Sequence, residues 1–332
     1  MIYAMRTILF SLLFSVFIFC SIPGIASAQT AKMGMHVLSM EEVEPAVTLL
    51  REQEKDTEHW YYITIPFTTA DIGREAEWQA FFTKAKSLRV IPIVRLATQP
   101  QGAFWQIPTK KNIVDQIDLL ARLEWPTAER RILIFNEVNH AKEWGNTINP
   151  EQYAEIFRFS ALWARSHDKN FIVMPAAMDL AAPSGSVTQD AFIYLEAMYA
   201  SDPEIFTYAD AWNSHSYPNP GFSAPPQRLG RNSLYGYQHE LSFLEKKGIT
   251  TLPVYITETG WVENRATSRN LTKYYQYAFD KIWQPDSRVV AVTPFVFNGA
   301  PGPFATFSFI SADGKPTVHY QALKNVLGAS TN

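Results

Sequence analysis

The feature that most constrains this chain is a unit repeated eight times: a short apolar run, a loop, then an amphipathic stretch. The runs are Met35–Leu38, Tyr61–Ile65, Val90–Val94, Ile132–Phe135, Phe171–Met174, Ala209–Trp212, Val254–Ile256 and Val289–Val292. Most are β-branched or aromatic and lack polar alternation, as strands buried on both faces do. The sixth, with Asp210 inside it and Asn213 beside it, is the weakest. Helical patterns fill the gaps. Asn149-Pro150-Glu151-Gln152 opens one with a cap, a proline at the first helical position and a glutamine placed for a capping box. Tyr153, Ile156, Phe157 and Ser160 then share one face. Ile113, Ile117 and Leu120 do so in the preceding helix, and Leu271, Tyr274, Ala278 and Ile282 in a late one. Spacings of βαβ size and a count of eight predict an α/β fold, a single (β/α)8 TIM barrel. A doubly wound open sheet uses the same alternation, but no glycine-rich phosphate loop follows the first run.

No segment reads as an inter-domain linker. The Pro/Gly-rich stretches Gln99–Pro108, Pro218–Arg231 and Asn298–Phe304 follow the third, sixth and eighth runs, on the face where barrels build active sites. Residues 1–28 read as a secretory signal: Arg6, an apolar run from Ile8 to Ile22, a break at Pro23-Gly24, and Ala26-Ser27-Ala28 as the site of cleavage. The expected domains are therefore a signal peptide, 1–28, and a catalytic barrel, 29–332, secreted or periplasmic and monomeric. The apolar run is short for a spanning helix, so no integral membrane segment is expected after cleavage. The only cysteine, Cys20, leaves with the signal, which excludes disulfides, thiolate nucleophiles and Cys-ligated metal from the mature chain. A net charge of −3 without charged runs argues against a nucleic-acid partner.

Two strand ends carry the chemistry. The fourth run continues into Phe135-Asn136-Glu137-Val138-Asn139, and the seventh into Thr257-Glu258-Thr259-Gly260-Trp261. A carboxylate there must sit at the barrel mouth, since burying it unpaired inside costs several kcal/mol, of order the price of an unsatisfied ion. Strands four and seven lie nearly across a barrel from each other, so both acids can meet one substrate. Adjacent residues of a regular strand point opposite ways. Asn136 and Glu137 can both reach the site only if the strand twists or bulges there.

These segments resemble the clan A retaining glycosidases. Asn136-Glu137-Val138-Asn139 followed by Glu143-Trp144-Gly145 looks like members of families 39 and 5, with Val138 where proline is usual. Thr257-Glu258-Thr259-Gly260-Trp261 is similar to their strand-seven nucleophile segment, and His215-Ser216-Tyr217 to their His-x-Tyr pair. Two positions depart from the pattern. Tyr61–Asp71 contains no arginine, and strand eight reads Pro294-Phe295-Val296-Phe297-Asn298 where a tryptophan is common. The resemblance implies a retaining glycoside hydrolase acting on β-linked carbohydrate without cofactor or metal. Glu137 is then acid/base and Glu258 nucleophile, about 5–5.5 Å apart. Tyr217 is the implied donor to Glu258, Asn136 and His215 the contacts to sugar hydroxyls, Arg95 the replacement cation and Phe297 the replacement platform. Trp144, Trp212 and Trp261, near strand ends, are candidate stacking residues, and Trp105 serves a more distant sugar. His36 and His140 read as structural, and Asp210 as one half of a strand-base ion pair. Two rival functions remain at this stage: a metal-dependent barrel hydrolase, for which no clustered ligand motif exists, and an inert carbohydrate-binding barrel, for which neither glutamate is needed.

Overall fold

An apolar run overlaps each parallel strand of one eight-stranded cylinder in the computed structural model, which describes residues 30–51, 59–250 and 252–329. The expected signal segment lies outside the described residues. The strands are β1 (Thr30–His36), β2 (Trp60–Phe67), β3 (Val90–Leu96), β6 (Arg130–Ile134), β7 (Phe171–Pro175), β8 (Trp212–His215), β9 (Val254–Glu258) and β10 (Val289–Val292). Between β3 and β6, β4 (Pro100–Gln101) and β5 (Phe104–Trp105) form a small antiparallel hairpin inside the third loop. A helix follows every barrel strand: α1 (Val43–Arg51), α2 (Glu75–Ser87), α3 (Lys110–Arg122), α4 (Pro150–His167), α5 (Ala191–Ser201), α6 (Gly236–Lys246), α7 (Leu271–Ala278) and α8 (Val318–Ala329).

The strand order β7-β6-β3-β2-β1-β10-β9-β8 leaves β7 and β8 as the two ends of the sheet. They meet through Asp210, whose amide donates to the Val173 carbonyl at 3.0 Å and whose carboxylate accepts from the Val173 amide at 2.9 Å. Arg165 of α4 holds the same carboxylate at 2.8 Å, the ion pair expected at this strand base. The ends thus join, and the open doubly wound alternative does not apply. No helix of the described residues is long and apolar enough to cross a membrane.

Two apolar layers form. The larger packs the outer strand faces against the helices. The smaller, with Tyr62, Ile93, Leu133, Met174 and Tyr255, fills the inside of the barrel. Arg131 plugs this inner layer; its guanidinium donates to the Tyr255 hydroxyl at 3.0 Å and lies 5.6 Å from the Tyr62 ring centre. Packing is tight enough to dictate Gly34 on β1, where an added Cβ would lie 2.1 Å from the Tyr62 carbonyl oxygen. The α4 start follows the sequence in part: the Asn149 side chain accepts from the Gln152 amide at 2.9 Å and Pro150 is the first helical residue. The capping box does not form, because the Gln152 side chain instead accepts from the Trp144 indole at 2.8 Å.

Two strands are displaced. The first is Thr30–His36, not the expected Met35–Leu38. The sixth strand is Trp212–His215, not the expected Ala209–Trp212. Its Asn213, Ser214 and His215 are buried and polar because each serves a partner, so hydrophobicity placed the run three residues early.

Candidate active site

The main chain aims the acids. After β6 ends at Ile134, Phe135 takes φ 71° and Glu137 φ 24°, left-handed conformations rare for side-chain-bearing residues and costing of order 1–3 kcal/mol each. These reversals break strand alternation, so Asn136 and Glu137 face the same cleft, as the sequence required. On the opposite wall the β8–β9 pairing slips: Ser214 pairs with Ile256, but His215 pairs with Glu258. The skipped residue, Thr257, is a bulge that turns Glu258 toward the barrel mouth.

A hydrogen-bonded cluster results. Arg95 Nη1 on β3 donates to Glu258 Oε1 at 2.7 Å and to Asn136 Oδ1 at 2.9 Å. The Tyr217 hydroxyl donates to Glu258 Oε2 at 3.1 Å. His215 Nδ1 donates to Glu137 Oε1 at 3.0 Å and lies 3.7 Å from Glu258 Oε2. A carboxylate oxygen of each glutamate and a ring nitrogen of His215 all lie within 4.8 Å of one another. Asn136, Glu137, Arg95, His215, Tyr217 and Glu258 are therefore brought together from four strands.

Electrostatics divides their roles. Burial alone would raise the Glu258 carboxyl, but His215 and Arg95 charges and the Tyr217 hydroxyl outweigh it and hold the group below its ordinary value of 4.5. Burial opposes a charge on His215, yet Glu258 and Glu137 prevail and raise it above 6.5. His36, buried on β1 with Nδ1 on the Thr257 carbonyl at 3.1 Å, is pushed down to about 4 by desolvation. It lies 3.8 Å from Glu258 Oε1 as a neutral ring. Sequence reading set His36 aside as a lone histidine; its place at the C-terminal end of the first strand was the available signal.

Beside the cluster opens a cavity of about 250 Å³, lined by Arg95, Asn136, Glu143, Trp105, Phe295 and Phe304 among others. Trp105, expected at a distant sugar, is on its wall. Glu143, which the sequence offered only within the Glu143-Trp144-Gly145 resemblance and without a role, is there too. Near Glu137, His140 Nε2 meets Asp179 Oδ2 at 2.8 Å. Burial disfavours a charge on His140, but Asp179 and Glu137 raise it above its ordinary value.

Four aromatic expectations are corrected. Trp144 and Trp261 are fully buried and Trp212 is 1% exposed. The Trp144 indole donates to Gln152 and the Trp261 indole to the Ala224 carbonyl at 2.8 Å. Trp261 also packs edge-on to Tyr275. A ring closed on both faces by the core cannot stack on sugar. Phe297 is 3% exposed within the outer core, and Phe295, two residues earlier, takes the cleft position instead.

Glu137, His215 and Glu258 are also the group that could offer ligand atoms to a metal ion among the described residues. The donor set fits poorly: Arg95 and Tyr217 already donate to both Glu258 oxygens, and a cation would sit against the Arg95 guanidinium.

Comparison with solved structures places the chain among (β/α)8 barrels. It is similar to a GH39 beta-xylosidase from Caulobacter crescentus, with TM-score 0.60 and 13% identity over 90% of this chain and 71% of that one. A family 39 glycoside hydrolase from the gut symbiont Bacteroides cellulosilyticus WH2 gives 0.59 and 16% over 92% and 65%. An endo-beta-1,4-glucanase from Xanthomonas axonopodis pv. citri gives 0.55 and 11% over 91% and 99%. The chain thus spans about two thirds of the first two and nearly all of the third. At these identities the likeness is one of fold. No family model matches the chain, and no curated protein matches its sequence.

Proposed function

We propose that this chain is a retaining glycoside hydrolase, acting on β-linked carbohydrate outside the cytoplasm after loss of residues 1–28. The observation that carries the reading is the 4.8 Å clustering of Glu137, His215 and Glu258 at a barrel mouth, with donors on both Glu258 oxygens. A carboxylate oxygen of each acid within that span supports a pair in which one carboxyl attacks while the other moves a proton, for which the gap is about 5–5.5 Å.

Glu258, ionised and held by Arg95 and Tyr217, attacks the anomeric carbon. The bond to the leaving oxygen breaks, and that oxygen takes the Glu137 proton. Water then attacks the same carbon, gives its proton to Glu137, and releases Glu258. His215 occupies Glu137 Oε1, leaving Oε2 to carry the transferred proton. Asn136, fixed by Arg95, presents its amide to the hydroxyl beside the anomeric carbon. Proton NMR of the first-formed product should show the substrate's anomeric configuration, and turnover should persist in chelator. An inverted product overturns the retaining mechanism, and loss of turnover in EDTA favours a metal in the same cluster.

The site also predicts a pH-dependent stability. His215 is raised in the folded state, so its contribution is full below its ordinary value of 6.5 and is lost as pH rises through the folded value. Glu258 is lowered, so its contribution is present above 4.5 and is lost as pH falls through its folded value. Both act together between about pH 4.5 and 6.5. The gap in thermal midpoint between wild type and His215→Gln should be widest in that window and shrink above it. A gap that widens toward alkaline pH would contradict the charge assignment.

A further inference from the structure

Every carboxylate of the cluster except one has its donors. Glu258 receives Arg95 and Tyr217, Glu137 receives His215, and Asp179 receives His140 and the Ala181 amide. Glu143 differs. Its side chain is 12% exposed, and its nearest cation is its chain neighbour Lys142 at 3.9 Å. Among the described residues its carboxylate receives no hydrogen bond. Desolvation first, and then the Glu137 charge, raise its carboxyl above the ordinary value, the mark of an acid short of partners.

The wall that carries it is built rigidly. Glu143 closes the 3₁₀ turn Ala141–Glu143, and the next loop residues lock onto the β4–β5 hairpin. The Gly145 amide donates to the Trp105 carbonyl at 2.8 Å. Gly145 has φ 61°, and a Cβ there would lie 2.6 Å from Ile107 Cγ1. Trp105 and Glu143 therefore stand on adjoining walls of the cavity that also exposes Arg95 and Asn136. One wall offers an apolar ring face and the next an acceptor with two free oxygens. That is the complement of a pyranose, whose C–H face is apolar and whose edge carries hydroxyl donors.

We propose that Glu143 sets the sugar specificity of this cavity: it accepts hydrogen bonds from a vicinal hydroxyl pair or an ammonium group and rejects a sugar bearing a carboxylate or sulfate. This rests on the glycosidase reading and deepens it by naming the substrate class. The acceptor is poorly solvated and held on a rigid turn, so donors gain a charge-assisted bond to its ionised form. An anionic substituent meets like charge across a poorly screened gap. The device discriminates by repulsion as well as attraction.

The test compares wild type and Glu143→Gln on matched β-linked oligosaccharides that are neutral, amino-substituted or uronate-bearing. Wild type should prefer the neutral and amino sugars. Glu143→Gln should raise their KM by roughly 10- to 100-fold, the scale of a lost hydrogen bond to a charged group, with kcat changed by less than about threefold. Its preference over uronates should shrink by at least about tenfold. That preference is a ratio within one preparation, so partial misfolding does not move it. An unchanged ratio, or uronates cleaved as readily as neutral sugars by wild type, overturns the proposal. Calorimetric binding of the same oligosaccharides separates the two readings. Selective binding of neutral sugars that glutamine abolishes, without any turnover, sustains Glu143 and sinks the glycosidase. No binding and no turnover sinks both.

Discussion

Glu258→Ala is expected to lower turnover by roughly five to six orders of magnitude, the scale seen when a covalent nucleophile is deleted from a cooperating set, while the chain keeps its native circular dichroism. The loss is that large because Glu258 does two things no neighbour can replace. In the proposed reaction it supplies the attacking oxygen, and its charge, maintained against burial, would face the developing cation at the anomeric carbon. Removal leaves Arg95 with Asn136 and the Tyr217 hydroxyl without an acceptor, so a modest fall in thermal midpoint should accompany it. The vacated space adjoins three positive or polar donors and should admit a small anion. Azide added with an activated substrate should restore part of the turnover and give a glycosyl azide of inverted configuration. A variant retaining a tenth of wild-type activity without azide removes Glu258 from the reaction.

Glu137→Gln should act selectively. For a glycoside with a poor leaving group, loss of the proton donor should cost about 10²- to 10⁴-fold, the usual worth of general acid–base catalysis. For a nitrophenyl glycoside, whose leaving oxygen needs no proton, cleavage should slow far less, and the slow step should become deglycosylation. Glutamine keeps the acceptor for His215, so the His215–Glu258 geometry should stay in place. The measurement is kcat/KM over a series of leaving groups. Its slope against leaving-group basicity should steepen in the variant. Equal loss across the series would mean that Glu137 holds the substrate and does not protonate it.

The barrel was legible because its interior-facing and helix-facing strand surfaces are both apolar, so six of eight strands announce themselves as hydrophobic runs. The first, Thr30–His36, was placed five residues late, because Lys32 and Gly34 interrupt it. The sixth, Trp212–His215, hid because its side chains answer to polar partners on both sides: Ser214 to the buried Glu240 at 2.5 Å, and His215 to Glu137. The two glutamates were legible because a carboxylate directly after a buried strand has nowhere to go but the mouth. Their surroundings were partly legible: Arg95 donates to Glu258 where a cation was wanted, whereas the cavity wall takes Phe295 and not Phe297. The tryptophans misled because strand ends border both cleft and core, and residue type alone does not say which side a ring takes. Glu143 stood in the sequence as part of the Glu143-Trp144-Gly145 motif but without a role, since its importance lies in what it lacks, and a missing partner is visible only in three dimensions.

The left-handed turns at Phe135 and Glu137 and the bulge at Thr257 have a wider consequence. Both acids owe their aim to main-chain kinks, so the span between them belongs to the ends of the staves and is indifferent to what decorates the rim. A lineage built on such a plan can replace its lids, linings and outer coat almost wholesale without retuning the reaction centre. Sequences can then drift past recognition while the working gap at the top of the cylinder is handed on unchanged.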